Sequence, residues 1–355
     1  MSAPAAAENT FNAWAAAGPN QPLEAFPFDA GPIGDEEIEV AIDYCGVCHS
    51  DLSMLNNDWG ITQYPFVPGH EVVGKIVKIG NHAQNKGLKV GQIVGVGWNR
   101  GSCMHCHPCM SGDQHLCHDV EATIIGHHGG FADRIRSHWA WAIPLPEGVD
   151  ITSAGPLFCG GITVFNPLLQ FGVLPTHRVG VIGIGGLGHM ALRFLNAWGC
   201  EVTAFTSSLA KRDEALSLGA HRVIATRDSE ELKKIAGQLD FIMVTANASL
   251  DWDAIIGALA PKGRLHFVGV VPEAVPLHVM ALISKQAEVS GSPTGSPSRL
   301  ADMLAFCARH EITPQVEHFP LSKINGAVEH LHEGKARYRV VLDMNAEGSS
   351  RSKNP

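Results

Sequence analysis

The stretch that most constrains this chain is residues 179–191, VGVIGIGGLGHMA, where Gly183-x-Gly185-x-x-Gly188 stands between a short apolar run and a helix-like one. At such a turn the first glycine permits the tight bend and the second lets a pyrophosphate approach the backbone. The third packs helix on strand, and the helix N-terminus faces the anion. The pattern alone also occurs in turns that bind nothing, so its context decides. Here the context is a strand (179–184), a helix (187–197), a strand (201–205), a helix (209–218) and further strands at 223–225, 241–245 and 264–268, separated by helical segments that include 250–259. Ser208 is the expected N-cap and Gly219 the stop of the second helix, and Pro261 and Gly263 the close of the last. Strands alternating with helices specify a doubly wound parallel sheet of the Rossmann type. Gly183, Gly185, Gly186, Leu187 and Gly188 are its expected cofactor-binding residues.

The end of the next strand indicates which dinucleotide. A site for NAD carries an acid about 20 residues on, bonded to the ribose 2′-hydroxyl. Here the strand runs into Thr206, Ser207, Ser208, Leu209, Ala210, Lys211 and Arg212, and the first acid, Asp213, falls inside the helix. Hydroxyls followed by two cations suit a 2′-phosphate. NADP(H) is therefore expected, against the plainer reading of a solvated helix start.

Composition narrows the rest. With 355 residues the chain has room for about two domains. A net charge of −9 disfavours nucleic acid as a partner. No apolar run approaches the roughly 18 residues of a membrane span. The first residues, MSAPAAAENTFNAW, lack a basic and then apolar leader. A cytoplasmic location, where disulfides are rare, is the expectation.

Nine cysteines in such a compartment point to metal. Cys103, Cys106, Cys109 and Cys117 form C-x2-C-x2-C-x7-C, a set of thiolates able to close a tetrahedral shell around a structural zinc. An iron–sulfur cluster takes similar ligands and is the less favoured alternative beside a nicotinamide site. A second set is scattered: Cys48 in CGVCHSD, His70 and Glu71 in PGHEVVG, and Cys159 in PLFCGGIT. Two thiolates and an imidazole leave one tetrahedral position open, as a catalytic zinc requires. Spacing alone does not unite them, and a lone cysteine is more often a small core residue.

GVCHSD, GHEVVG, the four-cysteine segment, PLFCGGIT, GIGGLGHMA, GSPTGSP and RYRVVLDM occur in the order found in the zinc-dependent medium-chain alcohol dehydrogenases. The chain most resembles their cinnamyl-alcohol-dehydrogenase-like branch, over nearly its whole length. The resemblance implies an α/β protein with a GroES-like β-rich catalytic domain (1–156), an NADP-binding Rossmann domain (157–297) and a C-terminal return to the first domain (298–355). It also implies a homodimer assembled through the cofactor domains and two Zn2+ per chain. Cys48, His70 and Cys159 match the catalytic zinc ligands, and Glu71 the nearby carboxylate able to exchange onto the metal. Asp51 is similar to the acid that orients the ligand histidine, and Ser50 to the hydroxyl touching the substrate oxygen. His49 and Arg339 match positions near the cofactor pyrophosphate, and Thr163 one near the nicotinamide. Cys45, Cys200 and Cys307 have no family role and read as core.

Two departures bear on substrate and proton transfer. Ser53 stands where many relatives carry a relaying histidine, and residues 117–129 are shorter than in plant cinnamyl alcohol dehydrogenases and lack their pocket tryptophan. The expected proton route runs from Ser50 through the cofactor ribose to water, with His49 considered as an exit. Trp59, Trp98 and Ile124 are candidate pocket walls. The implied activity is hydride transfer between a primary alcohol or aldehyde and NADP(H), favouring aldehyde reduction. A polyol dehydrogenase of the same superfamily and a non-catalytic zinc-binding interaction protein are the alternatives.

Overall fold

A computed structural model describes residues 9–345 apart from 227, 249 and 272, and the side chain of residue 229. The polar residues 348–355 read from the sequence as a frayed tail, a segment that lies outside the described residues. The chain divides into two compact units, Met1–Cys159 with Gly295–Pro355, and Gly160–Thr294. Cys159 thus belongs with the first unit, whereas the sequence boundary at 156/157 assigned it to the second.

The first unit is β-rich. Its strands up to Cys159 are β1 (Thr10–Ala15), β2 (Glu24–Asp29), β3 (Glu37–Val47), β4 (Val72–Ile79), β5 (Ile93–Val96), β6 (Asn99–Gly101), β7 (Glu121–Ala122), β8 (Arg134–His138) and β9 (Ile143–Pro144). The second unit contributes β10 (Arg178–Ile182), β11 (Glu201–Thr206), β12 (Arg222–Ala225), β13 (Leu239–Val244), β14 (Leu259–Phe267) and β15 (Glu288–Gly291). The returning segment adds β16 (Val316–Pro320) and β17 (Arg339–Asp343).

In the second unit the strands order as β12-β11-β10-β13-β14-β15, parallel throughout. The order reverses beside β10, the strand that carries the glycine turn, as in a dinucleotide-binding sheet. The helix Gly188–Trp198 follows directly. Two expectations need correction. The helix 209–218 is split: Ser208 Oγ accepts from the Ala210 amide (3.2 Å) and caps a 3-10 turn, Leu209–Lys211, before the α-helix Arg212–Ser217. The helix expected over 250–259 is Trp252–Ala258, capped by Asp251, and Pro261 and Gly263 lie within β14 rather than in a closing loop. The strand tolerates them because its pairing with β13 shifts register between Leu239 and Phe241.

In the first unit seven strands pair as β16-β17-β3-β4-β5-β9, with β8 also on β3. The C-terminal return therefore inserts β17 beside β3, antiparallel, with Val341 opposite Gly46. The Ala/Pro/Gly-rich composition of residues 1–36 reads as irregular, yet within it Thr10–Ala15 and Glu24–Asp29 pair as the β1–β2 hairpin. Its signal is the alternation in TFNAWA, where Phe11, Ala13 and Ala15 are buried.

The hairpin is tied down by charge as well as packing. Glu39, 3% exposed on β3, accepts from Arg134 (3.1 Å) and Arg136 (3.0 Å). Arg134 donates on to the Thr10 carbonyl (2.7 Å), and Arg136 to those of Ala30 (2.9 Å) and Pro32 (3.0 Å). Both guanidinium groups stand over the Phe11 ring. Removing one partner of a buried ion pair strands the other charge and costs about 3–5 kcal/mol. Glu39→Ala is expected to lower the midpoint of chemical unfolding by a corresponding amount. An unchanged midpoint would show that the hairpin is held by packing alone.

Candidate active site and metal centres

Cys48 precedes the helix His49–Asn56 as its N-cap residue, and Asp51 lies in that helix's first turn. The wholly buried Asp51 carboxylate binds three groups. One oxygen accepts from the Cys48 amide (2.9 Å), and the other from the Gly69 amide (2.8 Å) and the His70 ring at Nδ1 (3.0 Å). One side chain thus joins the turn bearing Cys48 to the loop bearing His70. With Nδ1–H donating to Asp51, the His70 Nε2 lone pair faces away from it. That Nε2 is buried and has no partner.

Cys159 comes to this point at the end of the 3-10 turn Gly155–Phe158. Its sulfur is 4.0 Å from Cys48 Sγ. One donor atom from each of Cys48, His70, Glu71 and Cys159, all buried, lies within 4.8 Å of the other three. Glu71 Oε1 accepts from Arg339, while Glu71 Oε2 is buried and unpartnered. Burial raises the Glu71 carboxyl to about 7 against the pull of the Arg339 charge. The hydrogen bond from Cys159 draws the Cys48 thiol well below its ordinary value, against burial and aided by the Arg339 and His70 charges. Burial opposes a charge on His70, but Asp51 outweighs it and shifts the ring well above its ordinary value, which makes the Nε2 lone pair a stronger base toward a proton or a cation. Unpartnered buried atoms on an imidazole and a carboxylate, converging with two buried thiols, fit a borderline-soft divalent cation such as zinc.

The second cysteine set also converges. Sulfur separations are 3.9 Å for Cys103–Cys109, 3.6 Å for Cys106–Cys117 and 3.5 Å for Cys103–Cys117. Disulfide sulfurs sit at about 2.05 Å, whereas a tetrahedral site with 2.3 Å metal–sulfur bonds spaces them about 3.8 Å apart. All nine cysteines are free thiols. The Cys106 amide points at Cys103 Sγ (3.3 Å), and such amides hold the Cys103 thiol down at about 6.

The remaining expected residues separate by unit. In the first, Ser50 Oγ is 3.9 Å from Cys48 Sγ, His49 is exposed, and Ser53 is half-buried in the same helix. Trp98 stands edge-on to the His70 ring at 4.9 Å, and Trp59 edge-on to Trp98 at 6.1 Å. Ile124 is 1% exposed and lines a different cavity of about 530 Å³, with Phe11, Phe28 and Tyr64. None of the four buried donor residues borders that cavity. The partnership of Arg339 with Glu71 is absent from the sequence reading, because 268 residues separate the two.

In the second unit Gly183 has φ +90° and Gly185 is exposed with open space on its Cα. A side chain on Gly188 would overlap the Gly183 carbonyl. Gly186 and Leu187 complete the turn, and Thr163 is buried in the helix Gly160–Gln170. Beyond β11, Ser207, Ser208 and Arg212 are exposed and Lys211 half-buried.

Residues 34–147 match the family described as alcohol dehydrogenase GroES-like domain, and residues 186–309 that described as zinc-binding dehydrogenase. The chain is 52% identical over 330 residues to the aldehyde reductase AdhA of Synechocystis sp., covering 93% of this chain and 98% of that protein. The structure of a cinnamyl alcohol dehydrogenase from Sorghum bicolor is similar with a TM-score of 0.89 at 35% identity, over 94% of this chain and 97% of that one. The CAD of Helicobacter pylori complexed with NADP(H) gives 0.86 at 30% identity, over 95% and 99%. Two family matches along its length and a relative half identical across nearly all of it place this chain among the zinc-dependent medium-chain alcohol dehydrogenases, in the cinnamyl-alcohol-dehydrogenase-like branch of these alcohol and aldehyde oxidoreductases.

Proposed function

We propose that this chain is an NADP(H)-dependent oxidoreductase of primary alcohols and aldehydes, aromatic or aliphatic, with two zinc ions per chain and a preference for aldehyde reduction. The observation that carries the proposal is the buried convergence of Cys48, His70, Glu71 and Cys159 around unpartnered donor atoms. Cys48, His70 and Cys159 hold the catalytic metal and leave one position open to substrate. When bound, zinc supplies Lewis acidity toward the substrate oxygen. Cys103, Cys106, Cys109 and Cys117 hold the structural ion.

The chain's own residues do the rest. Asp51 orients His70, and Glu71 stands by with its charge balanced by Arg339. Ser50 passes the proton at its Oγ, and, with Ser53 unable to carry a charge near neutral pH, the route continues through the cofactor ribose, with His49 as a candidate exit. Trp98 and Trp59 give the substrate aromatic walls. The glycine turn takes the pyrophosphate, and Ser207, Ser208, Lys211 and Arg212 take the 2′-phosphate. His49, Thr163 and Arg339 are proposed as further cofactor contacts. The NADP(H) bound to the Helicobacter pylori relative supports the cofactor, and the name aldehyde reductase on the Synechocystis relative supports the direction. A cytoplasmic homodimer is proposed through the second unit. There β15 ends the sheet, and Val279, Met280 and Ile283 expose apolar side chains on a helix whose chain leads into it.

Three measurements test this reading. Cys159→Ala is expected to remove one of two zinc ions and nearly all turnover while the fold persists; a variant that keeps both ions and its rate would refute the ligand assignment. Asp51→Ala is expected to weaken zinc binding at the same site about 10–100-fold, measured by chelator competition, with the four-cysteine ion unmoved. An undiminished affinity would show that His70 does not need its partner. Lys211→Ala is expected to weaken NADPH about 10–150-fold, the value of a lost charge-assisted contact, and to leave NADH nearly unchanged. Equal loss for both cofactors would contradict a 2′-phosphate role.

A further inference from the structure

Strand β3 lies between β17, which begins with Arg339, and β4, which Glu71 immediately precedes. Gly46 is the β3 residue at the crossing. It is opposite Val341 on one side, and on the other its amide donates to the Glu71 carbonyl (2.9 Å). The space a side chain at 46 would take is the space the Glu71 carboxylate fills. A Cβ built there would overlap Glu71 Oε2 and lie 2.9 Å from the Glu71 Cβ and 3.0 Å from its Cδ. Real Cβ atoms do not approach other heavy atoms so closely, so one group must move.

Glu71 has little freedom to yield by moving its backbone. A Cβ on Gly155 would come within 2.6 Å of the Glu71 carbonyl oxygen and 3.2 Å of the Gly46 nitrogen, so both glycines are packed against this backbone. The group that must move furthest is the carboxylate, with Oε1 on Arg339 and Oε2 unpartnered beside the thiols and imidazole, while the Glu71 Cβ needs to give only a few tenths of an ångström. Gly46 has no need of a left-handed conformation, since it lies in a regular strand and is absent from the residues with positive φ. What is required at position 46 is the missing side chain.

We propose that Gly46 is a positioning residue of the metal centre: its bare Cα holds open the place from which the Glu71 carboxylate engages Arg339 and faces the ligand group. A methyl group at 46 evicts that carboxylate, leaves the Arg339 cation without its carboxylate partner, and removes a negative charge from beside the cation site. Both changes weaken cation binding there. The proposal rests on the zinc reading of Cys48, His70 and Cys159.

The test is a double-mutant cycle between Gly46→Ala and Glu71→Gly in the zinc-loaded protein, the glycine removing the Cβ contact as well as the carboxylate. Zinc release to a chromogenic chelator is followed under native conditions, with the four-cysteine ion as internal standard. Gly46→Ala alone is expected to weaken retention of the ion at Cys48, His70 and Cys159 about 10-fold or more, the scale of losing a supporting partner. Added to Glu71→Gly, it is expected to change retention no further, because every side-chain atom it would displace is already gone. Equal losses in both backgrounds, or retention unchanged in Gly46→Ala, would overturn the proposal. If Gly46→Ala alone does not fold, recovery of a folded, zinc-binding double variant supports it, and failure of both overturns it. A wild-type chain that yields zinc from the four-cysteine segment alone would instead overturn the underlying zinc reading.

Discussion

The first unit's chemistry depends on one buried anion. Asp51 has no solvent exposure, and two backbone amides and an imidazole compensate it. A carboxylate left unpaired at that depth would cost several kcal/mol. The same bonds that stabilise it bring the Cys48 turn to the His70 loop and select the His70 tautomer. Folding stability and site geometry are therefore one set of interactions here.

A second layer comes from the sheet. By inserting β17 beside β3, the C-terminal return carries Arg339 to Glu71. The guanidinium offsets a carboxylate that burial would otherwise neutralise and biases the Cys48 thiol toward its thiolate. The pairing of Arg339 with Glu71 thus forms only in a chain whose last strand has docked against its third. Asn325 secures the same return by pairing both its amide ends with the Leu23 backbone (2.9 Å each).

Local chemistry made much of this legible in the sequence. The glycine turn announces itself because each glycine answers a separate steric demand within a few residues, and the four-cysteine segment because its thiols are neighbours in the chain. Only the order of motifs unites Cys48, His70 and Cys159, since nothing in their spacing brings them together. Pairings across long separations left no trace: neither Arg339 with Glu71 nor Arg136 with Glu39 alters any local pattern. The β1–β2 hairpin was hidden for a related reason. Six alternating residues within an Ala/Pro/Gly-rich segment are too few to stand out, and much of the hairpin's anchoring comes from arginines more than 100 residues away. The demand on Gly46 is invisible locally, because its source is a side chain on the next strand.

The central claim is that the buried Cys48–His70–Cys159 group holds a metal distinct from that of the four-cysteine segment. The most direct measurement is anomalous diffraction from crystals of the purified protein, with data above and below the zinc absorption edge. Two zinc peaks are predicted, one among Cys103, Cys106, Cys109 and Cys117, the other bounded by Cys48 Sγ, Cys159 Sγ and His70 Nε2. A zinc peak in the four-cysteine segment with none at the buried group would contradict the account.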